Sequence, residues 1–341
     1  MKKLKCGVIG AGRVGQMHIE NLQTIREVEV VCVADLFIED ARENLNTLGI
    51  TELYQDYHEV LANQEIEAVF IFTSTDTHEE IAIAAAQAGK HIFCEKPLSM
   101  DLAEEASLRV LRAVKDHEVK MQIGFNRRID RQFHAIYENV RAGAIGKPQL
   151  VKITSRDPDL LPHELIKRIG GLLFDFTMHD FDMARYMMGS NITEVYAKGG
   201  TLIDPTLTEI NDVDTLAIVL QFENGGFALI DNSRRAVYGY DQRVEVFGSE
   251  GLLKAENVSE SAVEYYGNKS EKRKNPLPSF IERYREAYIA EMQFFIRALL
   301  EERELLATGI DVIMAQRVAV AAQKSLETGQ PVAIDPAYPK I

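Results

Sequence analysis

The chain has 341 residues, a formal net charge of -14 at pH 7 and three cysteines. This length exceeds the roughly 250–300 residues at which one hydrophobic core stops growing, so it predicts two domains. The excess of acidic residues argues against nucleic acid or an anionic membrane as a partner. No apolar run approaches the roughly 20 residues needed to cross a bilayer. Because the start, MKKLKCGVIGAG, leads directly into a strand and a turn, we expect a cytoplasmic protein.

The first third of the chain alternates short β-branched runs with amphipathic helical stretches. The predicted strands are Leu4–Ile9, Val28–Ala34, Ala68–Phe72, His91–Cys94 and Met121–Ile123. Such alternation is typical of a parallel, doubly wound sheet, and we place this α/β domain at residues 1–125. Cys6, Cys32 and Cys94 lie in these apolar runs without CxxC spacing, so we expect small buried thiols and neither a disulfide framework nor a structural metal.

A six-residue loop, Gly10-Ala11-Gly12-Arg13-Val14-Gly15, joins the first strand to a helix. Glycine allows the tight turn at 10, the approach of a pyrophosphate at 12 and close helix packing at 15, while the helix amides face the phosphate. Asp35 ends the second strand 20 residues after Gly15, where its carboxylate can accept hydrogen bonds from the adenosine ribose and repel a 2′-phosphate. The loop therefore predicts NAD binding, with NAD preferred to NADP. The alternative is that Asp35 only caps a turn.

Two polar segments follow later strands of the predicted sheet. Thr73-Ser74-Thr75-Asp76-Thr77-His78 follows one strand, and Glu95-Lys96-Pro97 follows the next. The carboxyl ends of parallel strands border the ligand crevice of such sheets. Pro97 restricts the backbone of Lys96 to extended geometry, so the lysine side chain starts from a fixed point. A solvated loop lysine is the alternative.

From about residue 149 the pattern changes to longer alternating strands, which predict a mostly antiparallel sheet. These strands are Gln149–Ser155, Ile192–Lys198, Thr215–Phe222, Phe227–Asn232, Gln242–Phe247 and Ala262–Tyr266. Turn residues at 223–226 and 248–251 predict two hairpins. Phe280–Leu300 and Ile310–Thr328 are strongly helical, and residues 269–278 are interpreted as a connecting loop.

The segment FDFTMHDFD, residues 174–182, mixes three acids and a histidine into an apolar stretch. If residues 174–188 are helical, Asp175 and His179 are neighbours on one face. Histidine suits a general base because its unperturbed pKa is near 6.5. Two alternatives stay open: a helix cap with a core histidine, or a metal site made of Asp175, His179 and Asp182. We expect a structural role for Asp180.

The glycine loop, Asp35, the TSTDTH segment and Glu95-Lys96-Pro97 together resemble the Gfo/Idh/MocA family of NAD(P)-dependent sugar and polyol dehydrogenases. The resemblance covers nearly the whole chain. It implies an N-terminal Rossmann domain and, over residues 126–341, an α+β domain with a large open sheet, whose last helix can pack on the first domain. It also implies a homotetramer that forms through these sheets.

The resemblance further assigns residues to roles. Lys96, Asp175 and His179 match the catalytic group of the family, and Arg127, Asp157 and Tyr238 match positions of substrate contacts. The position of Asp157 varies among inositol dehydrogenases, so its part in hydroxyl selection is open. The residues that we assign to NAD are Gly10, Ala11, Gly12, Arg13, Val14, Gly15, Asp35, Thr73, Ser74, Thr75, His78, Glu95 and Lys96.

Later segments, including Gly124-Phe125-Asn126-Arg127-Arg128 and Tyr238-Gly239-Tyr240-Asp241-Gln242-Arg243, are similar to bacterial inositol 2-dehydrogenases. We therefore expect NAD-dependent oxidation of the C2 hydroxyl of myo-inositol, with no bound metal. The alternatives are another cyclitol such as scyllo-inositol, a pyranose sugar, or a non-catalytic NAD-binding regulator. Arg234 and Arg235 are expected to face solvent or a neighbouring subunit.

Overall fold

A computed structural model of the chain describes residues 3–99, 104–268, 271–272 and 274–341. The chain divides into two compact units. The first consists of Met1–Ile129, Ala287–Ile313 and Tyr338–Ile341, and the second consists of Asp130–Glu286 and Met314–Ala337. The chain therefore leaves the first unit after Ile129 and returns to it at Ala287. In the described part, no helix is long and apolar enough to span a membrane.

The first unit contains a six-stranded parallel sheet with the order β3-β2-β1-β4-β5-β6. Its strands are β1 (Leu4–Ile9), β2 (Val28–Ala34), β3 (Glu52–Tyr54), β4 (Ala68–Ile71), β5 (His91–Cys94) and β6 (Met121–Ile123). The connecting helices are α1 (Arg13–Gln23), α2 (Ile38–Thr47), α3 (Tyr57–Ala62), α4 (His78–Gln87) and α5 (Glu104–Asp116). The predicted doubly wound sheet is confirmed, with one additional short strand, β3. The three cysteines are buried and unpaired, as predicted.

The second unit contains a seven-stranded sheet with the order β12-β11-β7-β10-β9-β8-β15. Its strands are β7 (Pro148–Arg156), β8 (Ile192–Gly200), β9 (Thr215–Phe222), β10 (Phe227–Ser233), β11 (Asp241–Gly248), β12 (Leu252–Ala255) and β15 (Val332–Ala333). All neighbours are antiparallel except β7 and β10, which run parallel. The mostly antiparallel sheet is thus confirmed, and both predicted turns form hairpins, the second of them with the unpredicted strand β12.

Five further helices complete the described part of the chain. They are α6 (Arg131–Arg141), α7 (His163–Ile169), α8 (Met178–Met188), α9 (Phe280–Leu300) and α10 (Gly309–Thr328). The strand predicted over Ala262–Tyr266 is reduced to β13 (Tyr265–Tyr266), which pairs with β14 (Glu271–Lys272) in a separate sheet. The predicted loop at 269–278 therefore contains a strand, and its residues 269, 270 and 273 lie outside the described residues.

The core of the first unit combines its sheet with the second half of α9. Met292, Phe295 and Ile296 are buried in the same apolar cluster as the strands. The Phe295 ring lies 5.7 Å from the Phe70 ring and 5.8 Å from the Phe93 ring, within the range of favourable aromatic packing. This helix therefore completes the first hydrophobic core from a late position in the chain.

The two faces of the seven-stranded sheet differ in exposure. Residues alternate between buried and exposed along β8, β9 and β10, as expected where one face packs on helices. The other face, here called the open face, carries large apolar side chains that are accessible in the single chain. These are Tyr196, Val219, Phe227, Leu229, Phe247 and Leu252.

Candidate active site

The glycine loop of the first unit leaves space for a ligand at one position. A Cβ atom at Gly10 would lie 2.5 Å from the Phe72 carbonyl carbon, and one at Gly15 would lie 2.3 Å from the Gly10 oxygen. A Cβ atom at Gly12 would meet nothing within 4 Å. Gly12 is also the N-cap of α1, and no side chain caps this helix end. The loop thus fits a pyrophosphate that approaches Gly12 and the positive end of the helix dipole.

The carboxylate of Asp35 is held in place by two backbone amides. Its Oδ2 accepts a hydrogen bond from the Ala11 amide at 2.6 Å, and its Oδ1 accepts one from the Phe37 amide at 2.8 Å. Asp35 is half-buried, which leaves part of it accessible to a ribose. Leu36 and Phe37 beside it are 72% and 69% exposed, which is unusual for large apolar side chains. Leu36 and Phe37 were not predicted as site residues, although two apolar residues directly after a strand-end acid are a signal for a base-stacking surface.

His78 joins the two polar segments that follow β4 and β5. Its ring is 1% exposed, with Nδ1 2.8 Å from the Pro97 oxygen and Nε2 3.1 Å from the Thr73 oxygen. Burial lowers the pKa of His78, so the neutral ring is favoured. The Thr77 hydroxyl also donates to the Thr73 hydroxyl at 2.8 Å. His78 therefore affects a ligand of this loop indirectly, because its ring positions the backbone of Thr73.

Behind the Glu95-Lys96-Pro97 turn lies a buried acidic cluster that the sequence did not indicate. The His18 ring is fully buried, stacks on Phe72 and lies 3.1 Å from Glu95 Oε1. Glu291 is also fully buried, and neither of its carboxyl oxygens has a hydrogen-bond partner among the described residues. Burial and then the charge of Glu95 raise the pKa of Glu291 well above its ordinary value. Both effects therefore favour the protonated, neutral form of Glu291.

Lys96 and Arg127 are the remaining predicted site residues of the first unit. Lys96 follows β5, and Arg127 follows β6. Lys96 is half-buried, and its peptide bond to Pro97 is cis. Arg127 lies in a 3₁₀ turn, Asn126–Ile129, and is 3% exposed. The neighbouring Arg128 is structural, because it forms an ion pair of 2.9 Å with Asp311 and donates to the Leu306 oxygen.

The Asp175–His179 segment of the second unit is helical, but it is not one continuous α-helix from residue 174. Leu172–Thr177 forms a π-helix, and α8 starts at Met178. The Asp212 carboxylate accepts a hydrogen bond of 3.0 Å from the Leu172 amide and so fixes the start of the π-helix. π-turns inside helices are frequent at functional sites. Asp175 is 25% exposed and His179 is half-buried, so both are open to a ligand.

Asp180 has the structural role expected for it. Its side chain is fully buried, where it accepts hydrogen bonds from the Ser155 hydroxyl at 2.6 Å and the Asn232 amide at 2.8 Å. Asp182 is also buried. Among the residues that the structure describes, no three histidine, cysteine, aspartate or glutamate side chains form a group that could hold a metal ion.

Arg234 was expected at the surface, and this prediction is wrong. Its side chain is 1% exposed, and its Nη1 lies 3.1 Å from Asp157 Oδ2 and 3.7 Å from Asp175 Oδ2. Parallel pairing of β7 and β10 sets Ser233 opposite Arg156, so the residues that follow the two strands are neighbours. Arg235 does lie at the surface, with 51% of its side chain exposed.

The hydroxyl of Tyr238 belongs to a polar network at the end of β7 and the start of β11. It donates to Asp241 Oδ2 at 2.6 Å and accepts from Arg156 Nη1 at 3.0 Å. Burial and the hydrogen bond to Asp241 raise the pKa of Tyr238. Arg156 alternates with the buried Ser155, so this network is on the open face, whereas the Ser155–Asp180 contact is on the other face.

Comparison with known proteins decides the family. The model described as "Oxidoreductase family, NAD-binding Rossmann fold" matches residues 4–125, and the "GFO/IDH/MocA C-terminal domain" matches residues 133–254. The chain belongs to the Gfo/Idh/MocA family. The resemblance found from the motifs is thereby confirmed: this Gfo/Idh/MocA protein is an oxidoreductase, and its first unit is an NAD-binding Rossmann domain.

Two relatives of this Gfo/Idh/MocA oxidoreductase match it over almost its full length. It is 43% identical to the "Myo-inositol 2-dehydrogenase" of Thermotoga maritima, over 97% of this chain and 99% of the relative. It is 36% identical to the "scyllo-inositol 2-dehydrogenase (NAD(+))" of Bacillus subtilis, over 98% and 97% of the two chains. The similarity therefore extends across both units.

Two solved structures give the same result for the fold. A probable dehydrogenase from Thermotoga maritima superimposes with a TM-score of 0.94, at 43% identity and over 97% of this chain and 98% of that one. The scyllo-inositol dehydrogenase of Lactobacillus casei with bound NAD(H) and scyllo-inositol has a TM-score of 0.90, at 28% identity and over 97% and 99% of the chains. The oxidoreductase thus shares its complete architecture with enzymes that bind this cofactor.

Proposed function

We propose that this oxidoreductase oxidises the C2 hydroxyl of myo-inositol with NAD. The observation that carries the proposal is the near full-length similarity to a protein named myo-inositol 2-dehydrogenase. The accessible Asp175 in the π-helix and His179 in the first turn of α8 support it, because oxidation of an alcohol needs a group that accepts the hydroxyl proton.

Each catalytic residue has a distinct role in this proposal. His179 accepts the proton of the reacting hydroxyl, and Asp175 orients His179 or a substrate hydroxyl. Lys96 stabilises the negative charge that develops on the alcohol oxygen. The bound nicotinamide supplies the hydride acceptor. Proton transfer by a placed base typically contributes a rate factor of about 10² to 10⁴.

We assign substrate hydroxyls to Arg127, Asp157 and Tyr238. Asp157 is 16% exposed and lies beside Asp175 through their shared contact with Arg234, which supports a joint part in holding a polyol. The hydroxyl of Tyr238 is held by Asp241 and Arg156, so its contribution depends on a ligand that reaches the open face.

We propose that Asp35 makes the enzyme prefer NAD to NADP. Two charges about 4 Å apart interact by roughly 4 kcal/mol at an effective dielectric constant near 20, an upper-end figure for a half-exposed carboxylate. The 2′-phosphate of NADP would meet this repulsion, whereas the ribose hydroxyls of NAD would donate to the same oxygens. Leu36 and Phe37 offer an apolar surface for the adenine.

Oxidation of scyllo-inositol is the second candidate, because one relative carries this activity in its name. A pyranose sugar is a weaker alternative of the same class. A non-catalytic NAD-binding regulator is the alternative from another class, and the retained Lys96, Asp175 and His179 argue against it.

A substrate panel tests the proposal. The purified chain is mixed with myo-inositol, scyllo-inositol, other inositol isomers and aldoses, each with NAD or NADP, and the absorbance of the reduced cofactor is followed. We expect the highest kcat/KM with myo-inositol and NAD, and a 2-keto inositol as product by mass spectrometry and NMR. A free sugar that exceeds every inositol would refute the substrate assignment. Retained NAD binding without turnover of any polyol would favour the regulator.

We further propose that the oxidoreductase is a homotetramer that forms through the open face. The six large apolar side chains exposed on this face support the proposal, because exposed apolar patches of this kind mark interaction sites.

A further inference from the structure

Arg234 is a buried cation whose position the known chemistry of the site does not require. The side chain is 1% exposed and ranks among the largest fully buried side chains of the described residues. Burial of a guanidinium costs free energy that one ion pair offsets only when the remaining N–H groups also have partners. Such a residue calls for an explanation beyond stability.

Two carboxylates share one end of this guanidinium. Nη1 donates to Asp157 at 3.1 Å and lies 3.7 Å from Asp175, while the Phe176 ring lies 5.8 Å from the guanidinium carbon. Asp157 follows a strand, and Asp175 lies in the π-helix. Without a cation between them, two neighbouring carboxylates would repel each other and separate. Arg234 therefore sets the distance between two acids that come from different elements.

The other nitrogens of Arg234 indicate that this arrangement is not optimised for stability. Nε and Nη2 are buried and have no hydrogen-bond partner among the described residues. A buried donor without a partner typically costs about 1–3 kcal/mol. The acids, in contrast, retain exposed fractions of 16% for Asp157 and 25% for Asp175. The guanidinium is therefore buried, whereas part of each acidic side chain stays accessible.

We propose that Arg234 is a positioning residue that holds Asp157 and Asp175 side by side, so that both accept hydrogen bonds from adjacent hydroxyls of one polyol ring. This inference rests on the proposed function and deepens it. The arrangement selects a neutral substrate with neighbouring hydroxyl groups, since each carboxylate can accept from one of them. An anionic substrate would meet two fixed negative charges.

Kinetics of Arg234→Met with myo-inositol and NAD test the proposal, with Arg234→Lys as the conservative variant. Methionine fills the space without charge, and we expect kcat/KM to fall about 10²-fold, the scale of a 1 Å displacement of reacting groups. NAD affinity, measured by fluorescence titration, should change less than about 2-fold. Lysine returns a positive charge to the position of Nη1, and we expect it to recover about 10-fold of the loss, since it lacks the planar fork. Arg235→Met, at the exposed neighbouring arginine, is the control and should retain wild-type kinetics.

Two results would overturn the role of Arg234. One is a folded Arg234→Met variant with kcat/KM within 3-fold of wild type. A 3-fold ratio corresponds to a change of only about 0.65 kcal/mol in the activation free energy. The other is an Arg234→Lys variant no more active than Arg234→Met. Absence of polyol turnover by the wild-type chain counts instead against the proposed function, so the two failures are distinguishable.

The double variant Arg234→Met with Asp157→Asn decides the case in which Arg234→Met does not fold. It removes one positive and one negative charge, so the buried region keeps its charge balance. We expect it to fold and to have a kcat/KM about 10-fold below that of Asp157→Asn alone, because Asp175 has lost its cation. Equal kcat/KM values for the double variant and Asp157→Asn would show that Arg234 has no effect through Asp175.

Discussion

Glu291 is a residue whose charge state ties stability to pH. Its pKa is raised in the folded chain by burial and by Glu95, while in the unfolded chain it has the ordinary value near 4.5. Above pH 4.5 the unfolded chain loses this proton and the folded chain keeps it. Stability therefore falls as pH rises, by at most about 1.4 kcal/mol per pH unit, until the pH reaches the folded pKa.

We predict that Glu291→Gln removes this pH dependence. The Tm of the variant minus the Tm of wild type should increase from pH 5 to pH 8. This increase is expected whether the difference at pH 4 is positive or negative. Thermal unfolding followed by circular dichroism measures it. Glu286→Gln, at an exposed position of the same helix, is the control and should show a constant difference. A constant difference for Glu291→Gln would mean that its carboxyl group ionises alike in both states.

Lys96 and His179 are predicted to act mainly on the chemical step, although Lys96 is also among the residues that we assign to NAD. Lys96→Ala and His179→Ala should each lower kcat by about 10² to 10⁴, because each removes a charge-stabilising or proton-accepting group. NAD affinity should stay near the wild-type value. The exposed Lys324 and His117 provide matched alanine controls. Unchanged turnover in either test variant would remove that residue from the mechanism.

The role of a residue within a local motif was predictable from the sequence. The burial of a residue whose contacts are distant in the chain was not. The glycine loop and Asp35 follow from spacing within one βαβ unit, and the family comparison confirms the NAD-binding Rossmann domain that they predict. Arg234 and Glu291 carry charge in the sequence, and nothing in their own neighbourhood reveals that the fold buries them. Arg234 is buried because β7 and β10 are parallel neighbours, a pairing that alternation along either strand cannot indicate.

At the scale of one element, the loop between β1 and α1 has one glycine that a ligand requires and another that the packing of the fold requires. Gly12 has φ of -67° and ψ of -174°, which alanine adopts freely, and its Cβ direction is open. Gly15 has no such space, because its Cβ atom would lie 2.3 Å from the Gly10 oxygen. The two glycines therefore serve different purposes in one loop.

We predict opposite outcomes for two alanine variants of this loop. Gly12→Ala should keep the wild-type Tm and weaken NAD binding at least about 10-fold, equivalent to ~1.4 kcal/mol, since its methyl group occupies the phosphate space. Gly15→Ala should destabilise the fold by about 1–3 kcal/mol through overpacking. Thermal unfolding and NAD titration of both variants provide the comparison. If Gly12→Ala bound NAD as tightly as wild type, the pyrophosphate would not approach at Gly12.

Elements with strong periodicity had predictable bounds. Leu4–Ile9 and Thr215–Phe222 match their predicted ranges, as does the helix Phe280–Leu300. The short strands β3 and β12 were missed, because three or four residues are too few for a pattern and their pairing depends on a neighbour. The π-helix at Leu172–Thr177 was missed too, since its wide turn is fixed by the side chain of Asp212, which is distant in sequence.

At the scale of the whole molecule, the open face determines assembly in our proposal. Val219 and Leu229 are cross-strand neighbours on β9 and β10 and are 41% and 40% exposed. We predict that the double variant Val219→Glu and Leu229→Glu stays folded but forms smaller species than the tetramer that we propose for the wild-type chain, because like charges would face each other across the contact. Size-exclusion chromatography with light scattering measures the mass.

Val320→Glu is the control for this prediction, since Val320 is 40% exposed and lies on the helix α10 and not on a strand of the sheet. It should assemble as wild type does. A wild-type chain that is monomeric at micromolar concentration, or a double variant of unchanged mass, would contradict assembly through this face.

The return of the chain to its first unit has a consequence for biosynthesis. The strands of the Rossmann sheet leave the ribosome early, but Met292, Phe295 and Ile296 close the apolar cluster around Phe70 and Phe93. During translation, part of the apolar surface of the sheet therefore stays exposed until the ribosome has synthesised the second unit and α9. The nascent chain should be most exposed to aggregation, and most dependent on chaperones, in this interval.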